Sequence, residues 1–205
     1  MEAVGVLVFG ERRVPRALTG LPVQMGDVDA AIEQYRRLVV VGADADLAAV
    51  LTRLLRAERL DVELAYVPTR RTPATRIYRI PAGRRAARRA RRGSARRVTL
   101  IRDETGSVIV GRGRWLPPDG APVVHGEAVV DDTTLFDGDV AAARIEPTLA
   151  MPGLRASVRR GRWVSGRAAQ LGSTGVTVVR DGVAAPRAAR RSTFYRNVEG
   201  WLLVR

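Results

Sequence analysis

Hydrophobic positions in the first third of the chain follow two alternating rhythms. Val4 to Phe9 and Leu38 to Val41 are short, β-branched runs of the kind buried in a sheet, and "DVELAYVP", Asp61 to Pro68, continues the series. Between them, Asp27 to Arg36 and Asp46 to Arg56 carry apolar residues three and four apart. In the second of these, Leu47, Val50, Leu51, Leu54 and Leu55 fall on one helix face. Strands interleaved with helices predict an α/β N-terminal lobe built on a small parallel sheet.

The rhythm changes at Arg97. "RRVTLIRDETGSVIVGRGRW" sets a Gly-containing turn between two apolar runs, and Asp-Gly pairs recur at Asp137-Gly138 and Asp181-Gly182. Asp-Gly between apolar runs is a hairpin signal, so the second part reads as a mainly antiparallel, β-rich C-terminal lobe. The expected organisation is an α/β lobe over 1–82, an arginine-rich helix or linker over 83–96, and a β-rich lobe over 97–205.

The linker "GRRAARRARRGSARR" has a calculable geometry. Wound at 100° per residue, Arg84, Arg85, Arg88, Arg89, Arg91 and Arg92 occupy an arc of roughly 160°, leaving Ala86, Ala87 and Ala90 opposite. The segment therefore predicts a short helix stopped at Gly93, with one arginine face and one thin alanine face. Arg84, Arg85, Arg88, Arg89 and Arg92 are candidate anion-binding residues; the alternative is a solvated interdomain helix. Alanine is too small to insert into a bilayer, so membrane contact through this helix would be peripheral and electrostatic.

Charge reinforces this picture. The formal net charge is +14 in 205 residues, which favours anionic partners: nucleic acid, lipid headgroups or nucleotide phosphates. All 35 Lys/Arg positions are arginine, which excludes a Schiff-base lysine and a Walker-type phosphate lysine. With no cysteine, disulfides, thiolate nucleophiles and cysteine metal sites are excluded. Hydrophobic residues make up 46%, enough for a sizeable core, and no apolar run approaches the ~20 residues of a membrane span. "MEAVGVLVFGERR" reads as a first strand rather than a signal peptide, so a cytoplasmic protein is expected, with peripheral contact at the inner membrane surface as an option.

"RLVVVGADADLAAVLTRLLR", Arg37 to Arg56, combines a buried strand, a small-residue turn with two acids, and an amphipathic helix. Asp44 or Asp46 near the helix N-terminus would accept orphan backbone N–H groups and oppose the helix dipole. A phosphate at the same place would need free N–H groups and glycines that let the anion approach, and only Gly42 is glycine.

Four stretches together resemble the bacterial diacylglycerol kinase-like lipid kinases, which are related in fold to the NAD kinases. "VVVGADADLAAVLTRLL" is similar to the family's strand, GGDGT phosphate loop and helix. Gly42 stands on the first glycine and Asp44 on the aspartate, with Ala43, Ala45 and Asp46 replacing glycine, glycine and threonine. "YVPTRRTPATRIYRIP" occupies the place of the P-x-G-T-x-N motif; Pro68 matches, and Arg70, Arg71 and Pro73 replace glycine, threonine and asparagine. "AGRRAARRARRGSARRVTLIRDETG" is similar to the passage into the β lobe, and "GSTGVTVVRDGVAAPR" to that lobe's late strand and Asp-Gly hairpin. The resemblance implies ATP- and Mg2+-dependent phosphoryl transfer to a lipid hydroxyl, with Gly42, Asp44 and Pro68 at the nucleotide. The substitutions imply weak or lost activity: Cβ atoms at Ala43 and Ala45 crowd the loop, and Asp46 adds negative charge beside a polyanion. The family's late Asp-Asp-Gly segment, implicated in deprotonating the lipid hydroxyl, has no copy; "VVDDTTLFDG" fits an earlier hairpin. The reading from a different class is a non-enzymatic protein that binds nucleic acid or an anionic surface.

Other candidate chemistry is thin. His125 is the single histidine, without ligand spacing around it, and reads as a strand-end residue. Glu127, Asp131 and Asp132 are either hard-cation ligands or turn formers. Trp115, Trp163, Trp201, Phe194 and Tyr195 are expected mostly in packing. The interleaved Arg190, Arg191, Phe194, Tyr195 and Arg196 match no RNA-recognition motif.

Overall fold

The computed structural model describes residues 2–25, 27–159 and 161–205. The chain divides into two compact units, Met1–Val98 with Glu199–Arg205, and Thr99–Val198.

The first unit is built on β1 (Glu2–Val8), β2 (Val23–Gln24), β3 (Tyr35–Val41), β4 (Glu63–Tyr66) and β5 (Ala95–Val98), with α1 (Val28–Gln34), α2 (Asp44–Arg56), α3 (Pro73–Ile77) and α4 (Gly83–Arg92). The strand order is β2-β1-β3-β4, then the C-terminal strand Trp201–Val204, then β5. All neighbours run parallel except the last pair. The sheet is therefore mixed at one edge rather than wholly parallel. The chain's last residues return to this unit because Trp201, Leu203 and Val204 are buried between β4 and β5. The expected β-rich region 97–205 thus contains a strand of the first sheet, and the sequence gives no local sign of it, since "WLLV" reads as a strand for either unit.

Helix α1 is shorter than the Asp27–Arg36 periodicity predicts. Asp27 caps it by accepting from the Ala30 amide at 3.0 Å, and the chain passes straight into β3 at Tyr35, whose buried ring lies against Gly5. Along β3, Val39 and Val41 share a core with Val6, Val8, Ala65 and Val67, roofed by Ala86, Ala87 and Ala90 of α4. By strand alternation Leu38 and Val40 face the opposite way, and both are fully buried, so both sheet faces are covered.

The second unit is antiparallel throughout. Its longest strand, Ala168–Arg180, pairs through its first half with Ala189–Arg196 and Val124–Val130, and through its second half with Gly113–Leu116. Trp115, Phe194, Ile101 and Ile145 fill its core. Asp181-Gly182 is the expected two-residue turn: both residues have positive φ (48° and 93°), and Arg180 faces Val183. Asp137-Gly138 is not a turn. It lies inside the strand Thr133–Val140, where Asp137 faces Glu127, and the reversal instead occurs at Asp131-Asp132. Asp131 adopts φ 49° there while its carboxylate accepts from the Arg167 and Ala168 amides, which supports a left-handed aspartate without glycine.

Candidate functional site

The turn between β3 and α2 closes on itself. Ala43 is the N-cap of α2, and the Asp46 carboxylate three residues on accepts from the Ala43 amide at 2.7 Å, half of a capping box. A Cβ at Gly42 would stand 2.7 Å from Asp46 Oδ2, so Gly42 is small because the carboxylate of Asp46 lies over it. Arg12 approaches the same carboxylate at 3.6 Å. In this turn an aspartate occupies the backbone donor and the space beside the glycine. A nucleotide phosphate does not fit there as the loop stands: it would have to displace a hydrogen-bonded carboxylate of its own sign.

Asp44 does not cap its own helix, contrary to one of the expected roles. It is 8% exposed, and its two oxygens accept from the Tyr66 hydroxyl at 2.8 Å and the Ala74 amide at 3.1 Å. It thereby ties α2 to β4 and to the first turn of α3, whose orphan N–H groups favour a carboxylate. Burial, followed by the negative charge of Asp44, pushes the Tyr66 hydroxyl far above the ordinary tyrosine range. Thr72 caps α3 by accepting from the Thr75 amide, and Pro73 sits at its first position. This explains locally why "TPAT" starts a helix. Pro68 is buried, and its carbonyl accepts from the Gly83 amide at 2.8 Å, which seats the start of α4. Gly42, Asp44 and Pro68 therefore cluster around one loop system, each with a backbone or carboxylate role inside it.

The arginines gather elsewhere. A hollow of about 780 Å³ is lined by Arg71, Thr75, Arg76, Arg79, Ile80, Pro81, Arg85, Arg88 and Arg89. Six of these nine residues are arginine and none is acidic, so the hollow carries one sign of charge. Of the five arginines that the helix pattern nominates, Arg85, Arg88 and Arg89 line it. Arg84 and Arg88 border a second hollow of about 510 Å³ with Pro15, Arg16 and Ala17, and Arg92 lines neither. Arg71, Arg76 and Arg79 were not legible as site residues, because they lie outside the arginine run and reach the hollow only through the α3 turn. Helix α4 ends at Gly93 as expected, for a different reason: its φ is an ordinary −69°, and a Cβ would stand 2.8 Å from the Arg89 carbonyl oxygen.

The remaining candidates take structural positions. His125 pairs with Asp139 at 2.7 Å on an exposed strand. Among the described residues no three His, Cys, Asp or Glu side chains gather as a metal site. Trp115, Trp201 and Phe194 are buried, Trp163 lies under Arg155 and Tyr195 under Arg102.

The fold is similar to those of solved proteins described as diacylglycerol and NAD kinases. The chain is similar to a putative diacylglycerol kinase from Bacillus anthracis str. Sterne at 10% identity and TM-score 0.75, over 99% of this chain and 96% of that one. It is similar to an NAD kinase from Archaeoglobus fulgidus in complex with ATP at 13% identity and TM-score 0.70, over 100% of this chain and 94% of that one. Yeast NADH kinase complexed with NADH follows at 7% identity and TM-score 0.62, over 100% and 83%. No protein-family model matches the sequence, and no curated protein does. The chain thus has the fold of the diacylglycerol kinase-like proteins and NAD kinases.

Proposed function

We propose that this chain is a diacylglycerol kinase-like protein that has lost ATP-dependent phosphoryl transfer to a lipid hydroxyl and acts by binding an anionic surface at the cytoplasmic face of a membrane. The observation that carries the loss is the Asp46 carboxylate on the Ala43 amide, in the loop that resembles the family's phosphate cradle. Phosphoryl transfer depends almost wholly on positioning phosphate and neutralising its charge, and in this loop a carboxylate, paired with Arg12, already takes the backbone donor that such positioning would use. The complementary support is α4, whose outer arginines are exposed while its alanines are buried. Such a helix meets a charged surface without inserting into it. Among the described residues, no helix is long and apolar enough to cross a membrane.

Nucleic acid is the second reading, favoured by the net charge alone. The arginine face has no interleaved aromatic residue on which a base would stack. The test is incubation of the pure protein with labelled ATP, Mg2+ and a panel of lipids including diacylglycerol, beside co-sedimentation with phosphatidylglycerol vesicles and a nucleic-acid shift assay. The expected result is no labelled lipid, with binding to acidic vesicles that weakens as salt rises. Labelled lipid would overturn the loss, and preference for nucleic acid over vesicles at equal salt would favour the second reading.

A further inference from the structure

The hollow between α3, the Tyr78–Pro81 turn and α4 is a different kind of feature from a basic helix face. A flat arginine face meets a surface, whereas this is a concavity whose volume of about 780 Å³ lies in the range of small-molecule sites. Its charge comes from two consecutive elements that fold against each other: Arg71, Arg76 and Arg79 from α3 and its flanks, and Arg85, Arg88 and Arg89 from α4. Among the described residues, none of these six side chains is in an ion pair or a side-chain hydrogen bond, although arginines elsewhere in the chain, such as Arg37 with Glu63, are neutralised. Like charges brought together without a counter-ion repel one another, and a concave wall concentrates their field on what enters.

The lining also says what the ligand lacks. Only Thr75, Ile80 and Pro81 are uncharged, and no aromatic ring faces the hollow. The hollow has neither an aromatic platform for a base nor an extended apolar wall for an acyl chain. What six planar guanidinium groups, each able to donate two parallel N–H bonds, recognise is a cluster of anionic oxygens, and neighbouring phosphates supply the most negative charge in the least space.

We propose that this hollow is a binding site for a multiply phosphorylated small ligand, one presenting three or more neighbouring phosphates, with Arg71, Arg76 and Arg79 on the α3 side and Arg85, Arg88 and Arg89 on α4 as its donors. The site rests on the anion-binding half of the proposed function and is independent of the loss of phosphoryl transfer. The same chemistry is supplied by a free phosphate chain or by a multiply phosphorylated lipid headgroup.

Calorimetric titration with tripolyphosphate and with orthophosphate, at one fixed salt concentration, tests the site. Tripolyphosphate is expected to bind at least tenfold more tightly. Arg76→Gln with Arg89→Gln should weaken it at least tenfold, whereas Arg84→Gln with Arg92→Gln, which removes equal charge from the same region outside the hollow, should change it less than threefold. If the glutamine pair fails to fold, Arg76→Lys with Arg89→Lys retains the charge but loses the bidentate fork, and should still weaken tripolyphosphate measurably. Equal losses in the two glutamine pairs, or no preference over orthophosphate, would overturn the site. Vesicles carrying a bisphosphorylated inositol lipid, set against phosphatidylglycerol vesicles, separate the two sources. Binding that requires Arg76 and Arg89 only on the former assigns the lipid headgroup, and binding of free tripolyphosphate alone assigns the soluble ligand. Labelled lipid in the kinase assay would sink the proposed loss of transfer and leave this titration standing. A failed titration would sink the site and leave the argument from Asp46 intact.

Discussion

Asp46 Oδ2 stands 2.7 Å from the Ala43 amide nitrogen and would stand 2.7 Å from a Cβ at Gly42. One carboxylate therefore both caps helix α2 and dictates the size of the residue beneath it. Gly42→Ala should cost about 1–3 kcal/mol through overpacking. In an Asp46→Gly background, which removes both the carboxylate and the Cβ that would stand 2.8 Å from the new methyl, the penalty should shrink, leaving a coupling of about 0.5–3 kcal/mol between the two positions. Urea denaturation of the four proteins measures this, and equal penalties in both backgrounds would mean that Asp46 does not lie over Gly42.

Asp44 separates a capping role from a tying role. A plain N-cap tolerates asparagine, but this carboxylate accepts from both Tyr66 and Ala74. Asparagine offers one oxygen for two donors, so Asp44→Asn should cost about 1–2 kcal/mol, and Asp44→Ala, which leaves both partners unpaired in a buried site, about 2–4 kcal/mol. Thermal and chemical denaturation should rank the variants in that order. An Asn variant as stable as wild type would point to the capping role.

Tyr66 gives the fold an alkaline limit. Burial, then the Asp44 charge, keeps its hydroxyl protonated in the folded protein far above the ordinary value. The unfolded chain releases that proton near pH 10, so it binds fewer protons than the native state, and stability falls as pH rises above about 10 while remaining full below it. Tyr66→Phe should flatten this decline. Stability measured from pH 8 to 11 in both proteins checks the slope, and parallel curves would contradict the assignment.

Helix α4 is held by its thin face. Ala90 is buried in one cluster with Val6 and Val8 of β1 and Val39 and Val41 of β3, and it lines neither hollow. Ala90→Leu should destabilise by about 1–3 kcal/mol through overpacking. Arg84→Gln, on the exposed face, should leave the melting temperature within a degree or two and instead reduce binding to acidic vesicles. Equal stability in both variants would indicate a loosely attached helix.

The α/β and β-rich division, the helix over Gly83–Arg92 and its buried alanines were legible because they rest on periodicity, which survives without knowledge of tertiary contacts. The return of Trp201–Val204 to the first sheet was not, because strand pairing between distant segments leaves no local trace. Asp137-Gly138 misled for a related reason: the pair supplies turn-forming dihedrals, but the pairing of Val124–Val130 with Thr133–Val140 puts the reversal at Asp131. At the candidate site, sequence put Gly42 and Asp44 on the strand–turn–helix segment and Pro68 on a separate motif, and left open which groups Asp44 and Asp46 would satisfy. The partners, Ala74 for Asp44 and Ala43 for Asp46, depend on where α3 docks and how the turn closes. Likewise the arginine run was visible, whereas its convergence with Arg71, Arg76 and Arg79 needed the α3 turn.

The most direct measurement of the central claim is the amide signal of Ala43 in a nitrogen–proton correlation spectrum of this 22.3 kDa protein, followed as Mg2+–ATP is added to about 1 mM, the concentration matching an affinity of about 4 kcal/mol. Because the signal reports on the loop itself, nucleotide held by arginines elsewhere does not confuse it. The account predicts that Ala43 stays in place in the wild-type protein, held by Asp46, and that it moves in Asp46→Thr. Movement of the wild-type Ala43 signal at micromolar nucleotide would show that phosphate displaces the carboxylate, and would contradict the claim that this loop has closed against ATP.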